Sequence, residues 1–257
     1  MQAQLLKLLE KGIQDTLDKN EHGHLSCKEE RGVTRARVPI LKIVDSRRSF
    51  DCDICINNFL GVINTRMLKL YSNFDDRVRP LVYAVKYWTK RRHISDPPSG
   101  SLSSYSHVIM VIHYLQHIHI LPSLQDLIHH ENVDHTKHVP KPHYYNAYDC
   151  RFVGDLELAR SIFYADHAKN ETLTVGDLLT GYFKYYGEEF DFERNLISIR
   201  GNNNHSSTRN KSTGAPISLE DPFELRELGS VVSNEMAPKM LSEWKRAHQL
   251  ITTHHDQ

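Results

Sequence analysis

Side chains able to do chemistry gather first in "SFDCDICINNFLGVINT", Ser49 to Thr65, where Asp51 and Asp53 stand among apolar neighbours and precede Asn57 and Asn58. A carboxylate beside a core strand is costly unless it is paired or binds a cation. Strand alternation would point Phe50, Cys52, Ile54 and Ile56 one way and Asp51, Asp53, Cys55 and Asn57 the other, so that the apolar face packs. Asp53 then has two readings: a hydrogen-bonded carboxylate at a sheet edge, or a rigidly held oxygen ligand for a hard divalent cation such as magnesium. Cys52 and Cys55 form a C-x-x-C, but its odd spacing sends the thiols to opposite faces of a strand, which argues against zinc and against a shared disulfide. Lys86 and Lys90 are four apart and share a helix face, with Val85 and Trp88 placing the opposite side in the core. The plain alternative for these lysines is a solvated charged face. His113 and His117 are also four apart, yet no third metal ligand at a convincing spacing accompanies them.

The elements that would position these groups follow from periodicity. Leu5, Leu6, Leu8, Leu9 and Ile13 mark one face of an amphipathic helix, and a polar loop runs from Asn20 to Thr34. "RARVPILKIVD" and "SFDCDICINN", joined by Ser46, Arg47 and Arg48, predict an antiparallel strand pair. A hairpin with one helix is a marginal sheet unit. From Thr65 the pattern turns helical, with Leu68, Tyr71, Leu81, Val82, Val85 and Trp88. Ser103 or Ser104 can cap a helix Tyr105 to Ile118 that is apolar nearly all round and so central to a helical core. Residues 122–170 predict a long loop with short helices. Thr174 caps a further helix, "NLISIR" is strand-like, residues 202–215 form a polar low-complexity loop, and a last helix carries Met240, Leu241, Trp244 and Leu250 before a frayed tail.

A chain of 257 residues can bury a real core. Lys plus Arg equals Asp plus Glu at 32 each, so nucleic-acid binding would need a local patch, and Arg77, Arg79, Lys86, Lys90, Arg91 and Arg92 supply one. No apolar run reaches the roughly 18 residues of a membrane span. Four cysteines and no leader-like start suggest free thiols in a reducing compartment.

Several ordered blocks together carry a resemblance: "ARVPILKIVD", "SFDCDICINN", "NTRMLKLYSNFDDRVRPLVYAVKYWTKRR", "GSLSSYSHVIMVIHYLQ", "VGDLLTGYFKYYGEEFD" and "LEDPFEL". They are similar to the template-independent RNA nucleotidyltransferases, the poly(A) polymerases and terminal uridylyltransferases, over roughly Leu5 to Leu250. The resemblance implies an α+β fold in which an incomplete, few-stranded polymerase-β-like palm is fused to a mainly helical domain. Its expected divisions are 1–64 for the palm remnant, 65–250 for the helical domain with a poly(A)-polymerase-associated region over 172–228, and 251–257 for the tail. It implies transfer of UMP, with AMP as the alternative, from a nucleoside triphosphate to an RNA 3′ hydroxyl, with magnesium or manganese as cofactor.

Residue by residue, Asp53 matches the third metal-binding aspartate and is the implied catalytic group. Asn58, Asn64, Thr65, Lys86, Lys90, Ser104, Tyr105, Asp221 and Glu224 match nucleotide-binding positions: Asn64 and Thr65 at the ribose, the lysines and Ser104 at the phosphates, Tyr105 stacking on the base, and Asp221 and Glu224 in an acidic segment with Glu220 on the base-recognition side. A buried capping role is the alternative for Asp221. Arg77, Arg79, Arg91 and Arg92 are candidate RNA contacts. Relatives that add uridylyl groups often carry a His in a pattern like DPFE-x-x-H-N-x-G, where this sequence reads "DPFELRELG", one residue shorter, with Arg226 and Glu227 in place of the His and Asn, which leaves UTP against ATP open. The family's Gly-Ser turn and first D-x-D do not precede Arg37. The expectation is a truncated form of an active enzyme, cytoplasmic or else nuclear; the alternative is an inactive relative that binds RNA or acts as a scaffold.

Overall fold

The computed structural model describes residues 2–19, 25–29, 40–45, 51–201 and 214–255. The chain divides into two compact units, Met1–Val62 and Ile63–Gln257. The first holds helix α1 (Gln2–Lys19) and an antiparallel sheet of β1 (Leu25–Glu29), β2 (Ile40–Asp45) and β3 (Asp51–Cys55), in the order β1-β2-β3. The predicted hairpin is β2–β3, in a register that sets Leu41 opposite Ile54 and Lys42 opposite Asp53. β1 corrects the polar loop read over residues 20–34. Its segment LSCKE has little apolar content, but pairing satisfies the second edge of β2, whose amides and carbonyls would otherwise be left unmatched.

Burial in this unit is sparse. Leu6 and Leu41 are buried, whereas Leu5, Leu8 and Leu9, read as part of the packed face of α1, are exposed. Cys52 also departs from expectation: it is exposed on the face read as packed, while Ile54 and Ile56 are half-buried. The side chains of Phe50 and Asp51, the loop 202–213 and Arg37 lie outside the described residues.

Helix α2 (Phe59–Phe74) starts ahead of Thr65, because Asn58 caps it: its Oδ1 accepts from the Gly61 amide at 3.1 Å. The helical pattern then breaks before α3 (Val78–Arg91). Asp75, 8% exposed, accepts from the backbone amide and the guanidinium of Arg77, whose other arm donates to the Leu173 carbonyl at 2.8 Å. Burial alone would raise the Asp75 pKa; the Arg77 hydrogen bonds and charge outweigh it and hold the carboxyl below its usual value. That ion pair fixes the corner between the two helices.

Helix α4 (Ser104–His117) runs through the middle of the second unit, buried on most sides as its apolar sequence predicts. Ser103 is its cap, accepting from the Ser106 amide at 3.0 Å. The turn entering it needs Gly100, at φ 79°, where an added Cβ would also meet Ser233 Oγ at 2.9 Å. Within residues 122–170 the structure places a short hairpin, β4 (Tyr144–Tyr145) with β5 (Tyr148–Asp149), and the three-turn helix α5 (Leu156–Asp166), capped by Asp155. Helix α6 (Val175–Lys184) begins with a capping box between Thr174 and Asp177 and continues into a π turn, Tyr185–Glu189. "NLISIR" makes only an isolated bridge, Ile197 to Leu219. Helix α7 (Met236–His255) continues through residues 251–255, read as tail, and brings Trp244 into the core, stacked on Phe192 at 5.7 Å and near Trp88 and Tyr186.

Candidate functional site

The residues of the second unit build a site around the first turn of α4. Tyr105 donates its hydroxyl to Asn64 Oδ1 at 2.8 Å, tying α4 to α2. Burial, followed by the charge of nearby Asp221, raises the Tyr105 pKa, so the hydroxyl stays protonated and keeps donating. With its oxygen so engaged, Asn64 keeps its amide N–H groups as donors. Asp221 is 2% exposed, and its Oδ1 accepts from the amides of Phe223 and Glu224, each at 3.0 Å. It therefore caps its own loop and also sets a negative charge beside Tyr105. Glu224 pairs with Arg226 Nε at 2.8 Å, and Glu220 accepts from Ser198 Oγ at 2.7 Å. Thr65 is exposed on α2.

A cationic cleft of about 340 Å³ is lined by Lys90, His93, Ser95, Asp96, Ser99, Met236 and Lys239. Ser95 Oγ lies 3.2 Å from Ser104 Oγ, which links the cleft to the start of α4, where free amides and the helix dipole favour anions. Among the described residues Lys86 and Lys90 have no carboxylate partner. Ser95, His93 and Lys239 were not singled out from the sequence; no spacing connects them to Ser104, and the fold alone assembles them.

Other candidates are held elsewhere. Asn58 is occupied as the α2 cap. Arg77 is locked to Asp75, and Arg92 makes a two-armed pair with Glu243 at 2.7 Å, so both have a role in holding the fold. Arg79 and Arg91 remain exposed. His113 donates to Tyr186 and His117 stacks on Tyr185 at 4.4 Å, so this pair belongs to the aromatic interior. Burial, then the neighbouring His117, lowers the His113 pKa to about 4 and keeps it neutral.

In the first unit, Asp53 is exposed on β3, opposite Lys42. It is well placed to give one carboxylate to a hard cation. Among the described residues, however, no group of three His, Cys, Asp or Glu side chains could hold a metal ion. These residues do not complete a site for magnesium, and two ions would need several more ligands. Cys52 and Cys55 are free and exposed.

The chain matches known families in two places. Residues 7–73 match the family described as poly(A) RNA polymerase, mitochondrial-like, central palm domain, and residues 174–227 match the Cid1 family poly A polymerase. Human terminal uridylyltransferase 7 is 35% identical over 217 residues, 83% of this chain and 14% of that protein. Poly(A) RNA polymerase GLD2-B of Xenopus laevis is 38% identical over 190 residues, 73% of this chain and 34% of that protein. Cid11 of Schizosaccharomyces pombe is 32% identical over 227 residues, 86% and 43% of the two chains. The chain thus spans less than half the length of these relatives. Among solved structures, Cid1 poly(U) polymerase with Mg and 3′-dATP bound superposes with a TM-score of 0.74 at 27% identity, covering 96% of this chain and 72% of that one.

A small sheet with an acidic strand, joined to helices that carry the second family match, defines the class as nucleotidyltransferases with a palm and a poly(A)-polymerase-associated region. Within that class, the chain belongs to the family of RNA-modifying poly(A) polymerases and terminal uridylyltransferases that includes GLD2 and Cid1. No described helix is long and apolar enough to cross a membrane.

Proposed function

We propose that this chain takes part in template-independent addition of nucleotides, from UTP or else ATP, to RNA 3′ ends. The observation that carries this reading is the hydrogen-bonded Tyr105–Asn64 pair beside Asp221 and Glu224. Because the Tyr105 hydroxyl is engaged, its ring is the part left to meet a base, which any nucleobase can do by stacking. The Asn64 amide is positioned to donate to a ribose hydroxyl. Lys86, Lys90 and Ser104 supply charge and hydrogen bonds for a triphosphate.

In the reaction, the RNA 3′ hydroxyl attacks the α-phosphate, a phosphodiester forms and pyrophosphate leaves. These side chains contribute by binding, orienting and neutralising charge. Asp53 would offer one carboxylate oxygen ligand to magnesium or manganese. Asp53→Ala is expected to abolish extension by the intact enzyme without changing RNA affinity.

The test is a titration of fluorescent UTP and ATP analogues into the chain, with Tyr105→Ala and Asn64→Ala alongside. Tyr105→Ala should weaken binding roughly tenfold, the value of one lost base stack. Asn64→Ala should lose preference for ribose over deoxyribose. Nucleotide affinity indifferent to Tyr105→Ala refutes the site. A second reading, an RNA-binding or scaffold protein without transfer, draws on the lack, among the described residues, of any group of three side chains able to hold a metal ion. RNA binding with no extension of a labelled oligonucleotide by the intact protein in magnesium would select it.

A further inference from the structure

Helix α3 leaves Tyr83 and Tyr87 each 64% exposed, although the same helix buries Leu81 and Val85 completely. Residues four apart lie on one face, so Arg79, Tyr83, Tyr87 and Arg91 form a continuous stripe about 18 Å long at 1.5 Å per residue. Lys86 and Lys90 follow the two tyrosines at a spacing of three and border the same stripe. The Arg91 guanidinium sits over the Tyr87 ring, 5.2 Å from its centroid, and its Nε donates to the Tyr87 hydroxyl at 3.2 Å. Helix α3, VRPLVYAVKYWTKR, contains no carboxylate. Among the described residues none of these four cations has an acidic partner; Arg79 reaches only the Asn73 side-chain oxygen, at 3.3 Å.

We propose that this stripe is a track for single-stranded RNA, in which the Tyr83 and Tyr87 rings stack successive bases while the flanking cations neutralise phosphates. Both requirements of such a surface are met: rings largely exposed to solvent, with Arg91 over one face of Tyr87, and positive charge that no carboxylate among the described residues neutralises. An acidic protein segment would answer the charge, but stacking on both rings would need aromatic side chains at matching spacing, whereas every nucleotide of a strand brings a planar base. The proposal rests on the RNA-directed reading above and extends it to a surface centred on Tyr83 and Tyr87, which borders the nucleotide site at Lys86 and Lys90.

The experiment is fluorescence anisotropy of the 257-residue chain with a labelled 15-nucleotide uridine-rich RNA in the absence of free nucleotide. The double variant Tyr83→Ala/Tyr87→Ala should bind at least tenfold more weakly, since base stacking on each ring is lost. Tyr83→Phe/Tyr87→Phe should bind like the parent, and all three proteins should bind a fluorescent UTP analogue equally. RNA carrying 5-iodouridine should crosslink to the 78–91 segment of the parent. Unchanged RNA affinity in the alanine double variant overturns the proposal. So does a dimeric parent that the double variant converts to monomer with RNA affinity intact, which would assign the stripe to self-association. Failure of the nucleotide reading shows separately, as UTP binding indifferent to Tyr105→Ala.

Discussion

The first unit buries Leu6, Leu41 and Leu60 among its described side chains, whereas the second is built on an interior where Trp244, Tyr71, Tyr182, Tyr186, Phe152 and Phe223 are all under 2% exposed. The second unit also ties its buried polar groups together. Tyr71 accepts from Gln116 and the Leu124 amide, and Tyr186 donates to the Met110 carbonyl. The thin sheet carries Asp53 at its surface, while the thick helical body fixes Tyr105 and Asn64 against each other. The contrast teaches where placement is strict: packed cores hold side chains in single rotamers, and a site built on them inherits that order.

The strongest test of the contrast removes the central ring of the helical body. Trp244→Ala is expected to cost about 3–5 kcal/mol, the range for deleting a large buried aromatic. Trp88, then the remaining tryptophan, reports the loss by fluorescence in a urea titration. A midpoint unmoved by this change would break the comparison.

Acid should act on the same body. His107 is fully buried, hydrogen-bonded to the Ile94 carbonyl, and desolvation lowers its pKa to about 4. The unfolded chain takes up the proton near the ordinary value of 6.5 while the folded form refuses it until about 4. Stability from this residue is therefore fully present above about pH 6.5 and falls as pH drops toward 4. The total is about 3 kcal/mol by linkage, and His113 adds in the same direction. Urea midpoints measured by tryptophan fluorescence from pH 7 to 4.5 should decline steadily; a flat profile would contradict the buried neutral imidazoles.

Two smaller changes sharpen the contrast. Thr174→Ala removes half of a capping box and should cost about 1 kcal/mol, read from the same titration. Cys52→Ser with Cys55→Ser should shift stability by less than about 0.5 kcal/mol, because both thiols are exposed on the sheet. In the parent both should react with a thiol reagent without denaturant, and protection of either would mean that the sheet is thicker than described.

Legibility in the sequence followed the same division. The buried helix α4, its Ser103 cap and the Thr174 cap could be read because apolar periodicity and capping residues coincide at those positions. The β2–β3 pair was legible from its β-branched residues. Strand β1 was not, since LSCKE is strand only by virtue of its neighbour. The corner at Asp75–Arg77 was hidden because it depends on Leu173, nearly a hundred positions away by the hydrogen bond that closes it. At the candidate site, motif resemblance singled out Asn64, Tyr105 and Asp221, which the structure brings near one another, whereas the pairing of Arg77 with Asp75 and of Arg92 with Glu243 is a tertiary fact that no local spacing encodes.

Helix α4 has Tyr105 in its first turn and a body enclosed on nearly every side. A designer probing the proposed nucleotide site would gain little by redrawing that helix, because each altered side chain must be accommodated by the whole interior. Arg226 is the more tolerant place to edit: it faces water between Leu225, whose φ is 55°, and Glu227, which is held by the Leu219 and Gly229 amides, so a new hydrogen-bonding side chain can be written there while the anchoring of the tyrosine is left alone.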